Sequence, residues 1–513
     1  MRKKVFCLIV LLFSTVWAHA QQSQPGFAAL TPDPGSARAG TAVVAASPPE
    51  PAALGAPGGP IGGPPPTGMP YPPMPGGYMP GMAGPGMSYP PAFGGPGMGG
   101  PGMGGYPPGF AGPEMGGPIG GMPGMSGPPG SFPGDADLPI VGPRATFGSE
   151  TFWFSMDYAA GWIQKPRLSA PLITEGSPAD AHPGAIGQPG TVVAFGDSNY
   201  KFGTYQGFQA QIGVNLNDQL YLELNTLVFP AQHVAWTTAS GLTGSPLVAR
   251  PVFNTIADRE GSYLTSFPGV LAGSSSVEAR SELWGIEAVA RYKFAITPYL
   301  TGDVLLGYRQ MELLENLTVS DNLVPLQPSI TFLGNQVTPA PGTSLNDYDR
   351  FATNNTFNGV DFGGRLRWQS GYDWFAATTY WKEAIGATTQ TVNISGATTL
   401  TTAGGSVSAP GGILAQQSNG GNFTRTVFGS ITEGGVGFII IPYKYVRLEF
   451  GYSATYWNSV VRPGNQVNHA VTPSQVATDI TFTGTAPGNQ PGFVYRSQGI
   501  TIQSLNVGLS FYY

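Results

Sequence analysis

The chain has 513 residues, of which 41% are hydrophobic and only 10% charged, with 76 Gly, 51 Pro, a single Cys and a formal net charge of -6. Globular domains usually carry about 25% charged residues, so this is not the composition of an ordinary soluble enzyme. The acidic balance also excludes the clustered Lys and Arg of a nucleic-acid-binding footprint.

At the N-terminus, Arg2, Lys3 and Lys4 precede the apolar run Val5 to Phe13, and Ala18-His19-Ala20 supplies the small residues that a signal peptidase reads. The pattern predicts a cleaved secretory signal over residues 1–20. The run is shorter than the ~20 residues a spanning helix needs, and Cys7 lies inside it, so Cys7 is not positioned as a lipidated Cys. A mature chain starting after Ala20 has no Cys, which excludes disulfides and Cys-ligated metals.

Residues 51–130 contain 23 Pro, 28 Gly, 10 of the 13 Met and one charge, Glu114. Pro-Gly-Met units recur, as at Pro85-Gly86-Met87 and Pro123-Gly124-Met125, but without the strict three-residue register of collagen. Pro removes amide donors and Gly maximises chain entropy, so residues 21–145 are expected to be a disordered tether with a typical span of roughly 60 Å. It is read as a spacer or as a ligand for cell-wall or envelope components.

From residue 146 onward the signal is period-two alternation in about ten segments. In Gln219 to Phe229 the even positions Leu220, Leu222, Leu224 and Val228 lie opposite Glu223 and Asn225. In Tyr443 to Trp457 the even positions Val446 to Tyr456 are all apolar, while Arg447 and Glu449 share the other face. Phe152 to Ile163, Tyr205 to Leu216, Glu282 to Phe294, Pro298 to Tyr308 and Phe357 to Trp368 divide in the same way, whereas Tyr372 to Ile385 and Phe423 to Ile441 mix their faces. Tight connections at 217–218, 297–298, 369–371 and 442 alternate with long ones at 164–204, 230–277, 318–353, 395–421 and 462–494. That asymmetry predicts an all-β fold, an antiparallel up-and-down transmembrane β-barrel over residues 146–513. Its short turns would lie in the periplasm, and it would have about 10 strands, or 12 if a segment such as Thr191 to Phe195 also pairs.

Tyr292, Phe294, Tyr299, Trp368, Tyr372, Trp374, Tyr443 and Tyr445 flank the short turns and predict an aromatic girdle in contact with outer-membrane lipid. The chain ends in an alternating strand, Leu505 to Tyr513, that resembles the signal read by the barrel insertion machinery.

With apolar rows facing lipid, the lumen would receive Asp157, Glu223, Glu287, Arg291, Asp303, Arg309, Asp361, Arg365, Arg367, Arg447 and Glu449. Charges of both signs in a ten-strand lumen pair and fill it, which suggests a narrow or plugged channel for small solutes and not a general diffusion porin. Arg462-Pro463-Gly464 opens the last long connection, either as a loop anchor or as a constriction selecting anions. No GxSxG, GxxxxGK, HExxH or EF-hand motif occurs, so no catalytic, metal or cofactor site is expected and the chain is read as a non-enzyme. His182, His233 and His469 are scattered over long loops. Asp347, Asp349 and Asp197-Ser198-Asn199 are read as turn formers or a surface cation site.

Several fragments in fixed order carry a resemblance. They are Phe152-Trp153-Phe154-Ser155-Met156-Asp157-Tyr158, Trp162-Ile163-Gln164-Lys165, Pro171-Leu172-Ile173-Thr174, Phe195-Gly196-Asp197, Arg250-Pro251, Gly307 to Leu317, Asn355 to Gly359, Gly412-Ile413-Leu414 and Arg462 to Gln466. Over residues 150–513 the chain resembles the putative beta-barrel porin family, seventh of its series, of planctomycete-type outer-membrane barrels. The resemblance implies an outer-membrane barrel and no particular substrate. Two function classes remain open: a permeability barrel, or an envelope scaffold that binds partners through its long loops and tether. In both, the apolar half of the chain is hidden by lipid and not by a core.

Overall fold

The computed structural model describes residues 151–196, 200–371, 374–484 and 490–513. The signal segment, the tether, the Asp197-Ser198-Asn199 cluster and the girdle residue Tyr372 lie outside the described residues.

Ten long antiparallel strands form the wall: β1 (Phe152–Ile163), β2 (Tyr205–Asn215), β3 (Leu220–Ala239), β4 (Leu271–Thr297), β5 (Leu300–Pro325), β6 (Ser344–Gln369), β7 (Phe375–Thr402), β8 (Gly421–Tyr443), β9 (Val446–Val461) and β10 (Ser497–Tyr512). Each pairs with its sequence neighbours, and β10 returns to β1, with Trp153 opposite Tyr512 and Ile163 opposite Ile502. The ten strands therefore close into an up-and-down barrel, and the short strand Gly405–Pro410 adds to the upper end of β7 in the same sheet. Glycine permits one close crossing: a Cβ on Gly508 would lie 1.8 Å from Oδ1 of Asp157, its register partner on β1.

Three expectations are corrected. The connections 230–277, 318–353 and 395–421 begin and end as continuing wall strand, so wall strands reach 26 to 28 residues where a membrane crossing needs about 9–11. The segment Val192–Phe195 does pair, but with Ile173–Gly176 in a separate inner sheet, and the wall stays at ten strands. The third concerns where the apolar residues go.

Polarity inverts along each long strand. In the lower part of β4, Trp284, Ile286, Tyr292 and Phe294 point outward while Glu287 and Arg291 point inward. Higher up, Glu278, Arg280 and Glu282 are outward and Val277, Ala279 and Leu283 are buried inward. On β5 the outward residues change from Val304, Leu306 and Tyr308 to Glu312, Asn316 and Thr318. Lipid accepts an apolar outer face and water a polar one, so the inversion marks where the wall leaves the membrane. The aromatic girdle at Tyr292, Phe294, Tyr299, Trp368, Trp374, Tyr443 and Tyr445 is exposed at the opposite, short-turn end.

The long connections fold inward and close the upper barrel. Leu247–Asn254 pairs with Ile173–Gly176, Arg259–Ser266 and Ala470–Val471 to form the inner sheet. Leu172, Val248, Val252, Val471 and Val476 pack against wall residues Val277, Leu317, Val319, Phe351 and Val392. Part of the apolar half is thus buried in a water-soluble type of core, and lipid covers only the lower wall.

Candidate functional site: the lumen

All eleven sequence-assigned charges point into the barrel, because each shares the parity of buried positions on its strand. They fall into two tiers. In the upper tier, Arg309 contacts Glu287 at 2.7 Å, Asp361 at 3.2 Å and Glu433 at 2.7 Å. Lys382 contacts Glu287 at 2.7 Å and Glu433 at 3.4 Å, and the Tyr380 hydroxyl donates to Glu433 at 2.9 Å. Lys382 and Glu433 escaped the sequence reading because they lie on the two segments whose faces looked mixed. The signal was present in the parity of β7, where exposed Trp381 and Ile385 require Lys382 to point inward.

In the lower tier, Arg291 joins Glu223 at 2.7 Å and Asp303 at 3.1 Å, while Arg365 reaches Glu223 at 3.6 Å. Arg291 also stacks over the Tyr221 ring at 4.4 Å, and Arg447 over Tyr512 at 3.3 Å. Ser510 donates a hydrogen bond to Glu449. Asp157, Arg367, Arg447 and Glu449 line the same cavity of about 300 Å³, which extends from Arg309 and Glu287 down to Pro298, Tyr299 and Gln369.

Above the charges lies an apolar layer to which every wall strand contributes: Ala159 and Ile163, Tyr205, Phe229, Leu283, Leu313, Phe357, Ala384, Ile431, Trp457 and Ile500. Phe357 meets Trp457 edge-on at 6.2 Å between ring centroids, and Trp457 Nε1 donates to Thr388 Oγ1 at 3.0 Å. The layer draws at least one buried side chain from each wall strand, with Ser281, Thr388 and Asn355 buried beside it.

Above this septum two buried arginines tie the long connections to the wall, Arg462 from the last connection and Arg250 from the inner sheet. Arg462 is fully buried; its Nε donates to Glu315 at 2.7 Å, and a second guanidinium nitrogen pairs with the same carboxylate. Pro463 starts the helical turn Pro463–Gln466, and Gly464 packs where a Cβ would lie 2.2 Å from the Arg167 carbonyl oxygen. Arg250, present in the sequence only within Arg250-Pro251, is also fully buried and bonds Asp321 at 2.6 Å, Asp349 at 2.7 Å and the Leu172 carbonyl at 3.0 Å.

Asp349 is not a surface turn former. Its Oδ1 accepts the amide N–H groups of Ile413, Leu414 and Ala415 at 2.9, 2.9 and 2.7 Å, an anion nest built by the 411–420 connection.

Asp347 lies beside this network, well above the band from Val360 to Trp368 where β6 meets lipid. Burial, then neighbouring Asp321, raises its carboxyl well above the usual value, and Asp349 adds to this while Arg250 opposes it. A carboxyl raised in the folded state adds stability below its ordinary range near pH 4 and loses it as pH rises through the folded value. Asp347→Asn should therefore make the upper domain more heat-resistant at pH 7 and remove part of its loss of stability between pH 4 and 7. Thermal unfolding followed across that interval checks both; an unchanged pH profile contradicts the assignment.

Residues 153–513 match the family described as Putative beta barrel porin-7. Among curated proteins no sequence matches. Similar solved structures include the outer membrane protease OmpT from Escherichia coli, at 6% identity and TM-score 0.31, covering 71% of this chain and 97% of that one. A FadL homologue of Pseudomonas aeruginosa is similar at 8% identity and TM-score 0.19, covering 71% and 90%. The toluene transporter TodX of Pseudomonas putida is similar at 8% and 0.14, covering 74% and 93%. At these values none bears on activity or substrate. With the family matched from the first wall strand to the last, the chain belongs to the Putative beta barrel porin-7 family and is an outer-membrane β-barrel protein.

Proposed function

We propose that the protein is a plugged, non-enzymatic barrel, closed to general diffusion, that passes small solutes only when both its septum and its inner sheet give way. The observation that carries this reading is the apolar septum, to which all ten strands contribute and above which the inner sheet adds a second seal. A layer packed from Phe229, Phe357 and Trp457 opposes ion passage, because burying an unpaired charge there is costly. The upper charge tier supports the same reading, since Arg309 and Lys382 pair with Glu287, Asp361 and Glu433 directly below the septum. A second reading, an envelope scaffold, draws on the polar outward face of the wall above the membrane. In it, the tether of residues 21–145 would hold cell-wall or envelope components. In both readings lipid surrounds the lower wall and the insertion machinery reads the strand ending at Tyr513.

Purified protein in planar bilayers should show no steady openings over a wide voltage range. Steady, large, voltage-independent conductance would overturn the plugged reading.

A further inference from the structure

We propose that the short-turn mouth of the lumen is a binding site for a small phosphate-type anion reached from the periplasm. The cavity of about 300 Å³ is at the small end of ligand-pocket size, and its lining runs from Pro298, Tyr299 and Gln369 beside the short turns to a roof at Glu287, Arg309 and the septum residue Met311. In that roof three carboxylates, Glu287, Asp361 and Glu433, serve two cations, Arg309 and Lys382, so no positive charge is left over.

At the mouth the balance reverses. Strand register sets Asp303 opposite both Lys293 and Arg365, and Arg291 bonds it as well. Glu223 is shared by Arg291 and Arg365 at 2.7 and 3.6 Å. Arg367 and Arg447 lie still nearer the turns and within electrostatic range of each other and of Lys293. Five cations therefore gather around two carboxylates, and even with Asp157 and Glu449 counted, five face four.

Like charges held together inside low-dielectric walls focus a positive potential on the cavity, and guanidinium forks match phosphate oxygens bidentately. The roof stops such an anion from continuing upward, so the mouth acts as a receptor pocket and not as a pore entrance.

The test is isothermal titration of the full-length protein, folded in zwitterionic detergent, with inorganic pyrophosphate at low salt. Saturable binding is expected. It should weaken at least tenfold in Arg367→Gln/Arg447→Gln, tighten in Glu449→Gln and stay unchanged in Arg280→Gln, an exposed residue of the upper outer wall. Competition by micelles doped with phosphatidylglycerol would assign the site to a lipid headgroup, and its absence to a free solute; both leave the anion site standing. No saturable binding by the unmodified protein overturns the proposal regardless of how the variants fold, as does equal affinity in the double variant. The measurement is independent of conductance, so it stands or falls apart from the plugged reading.

Discussion

Arg250→Ala releases the inner sheet from the wall while leaving the lower barrel folded. The guanidinium is fully buried, with Asp321 and Asp349 at 2.6 and 2.7 Å. Asp321 also accepts from the Thr265 hydroxyl at 3.1 Å, so one network joins the inner hairpin to β5 and β6. Removing the cation strands buried carboxylates, a loss of about 3–5 kcal/mol. The lower wall shares none of these contacts, and its ladder is continuous around the ring. Limited proteolysis should therefore open the 164–204 and 240–270 connections in the variant, while the membrane-embedded part remains resistant and keeps its heat-modifiable gel mobility. A triple variant, Arg250→Met with Asp321→Asn and Asp349→Asn, should recover much of the protection, because the stranded charge and not the lost attraction dominates the loss. Wild-type protease resistance in Arg250→Ala would show that the latch lies elsewhere.

Trp457→Ala should be comparably damaging, for a different reason. The ring is fully buried in the septum, packs edge-on against Phe357 and donates to Thr388. Truncation leaves a void and an acceptor without its donor, for a loss of about 3–5 kcal/mol. The inner sheet still seals the barrel above, so conductance should remain absent in the single variant. It should appear only in Trp457→Ala/Arg250→Ala, where both seals fail in series. Openings in Trp457→Ala alone would mean that the inner sheet is no barrier, and silence in the double variant would favour the scaffold reading.

Alternation reports the lumen face plainly in the lower barrel and only obscurely in the upper. In the lower half, lipid imposes one rule on every strand, so alternation in Glu282 to Phe294 and Tyr443 to Trp457 already identifies the lumen face and the charges upon it. Lys382 and Glu433 were lost only where Thr- and Gly-rich strands blur the alternation, as in Thr378-Thr379 and Gly434-Gly435. In the upper half the outer solvent is water, the rule inverts, and Leu313, Leu317 and Val319 point inward. Alternation persists there, but with polarity reversed and mixed with turn-forming residues, so it reads as loop.

The sequence by itself determined the wall: a ten-strand closed barrel, its short-turn end, its girdle and the inward row of charges. These depend on period-two patterning, which is local to each strand. Only the tertiary structure decided that the long connections fold inward, that Arg250 meets Asp321 and Asp349, and that one side chain or more from every strand joins into a septum. Those contacts link residues 71, 99 and more positions apart, and no local pattern encodes a partner at that distance.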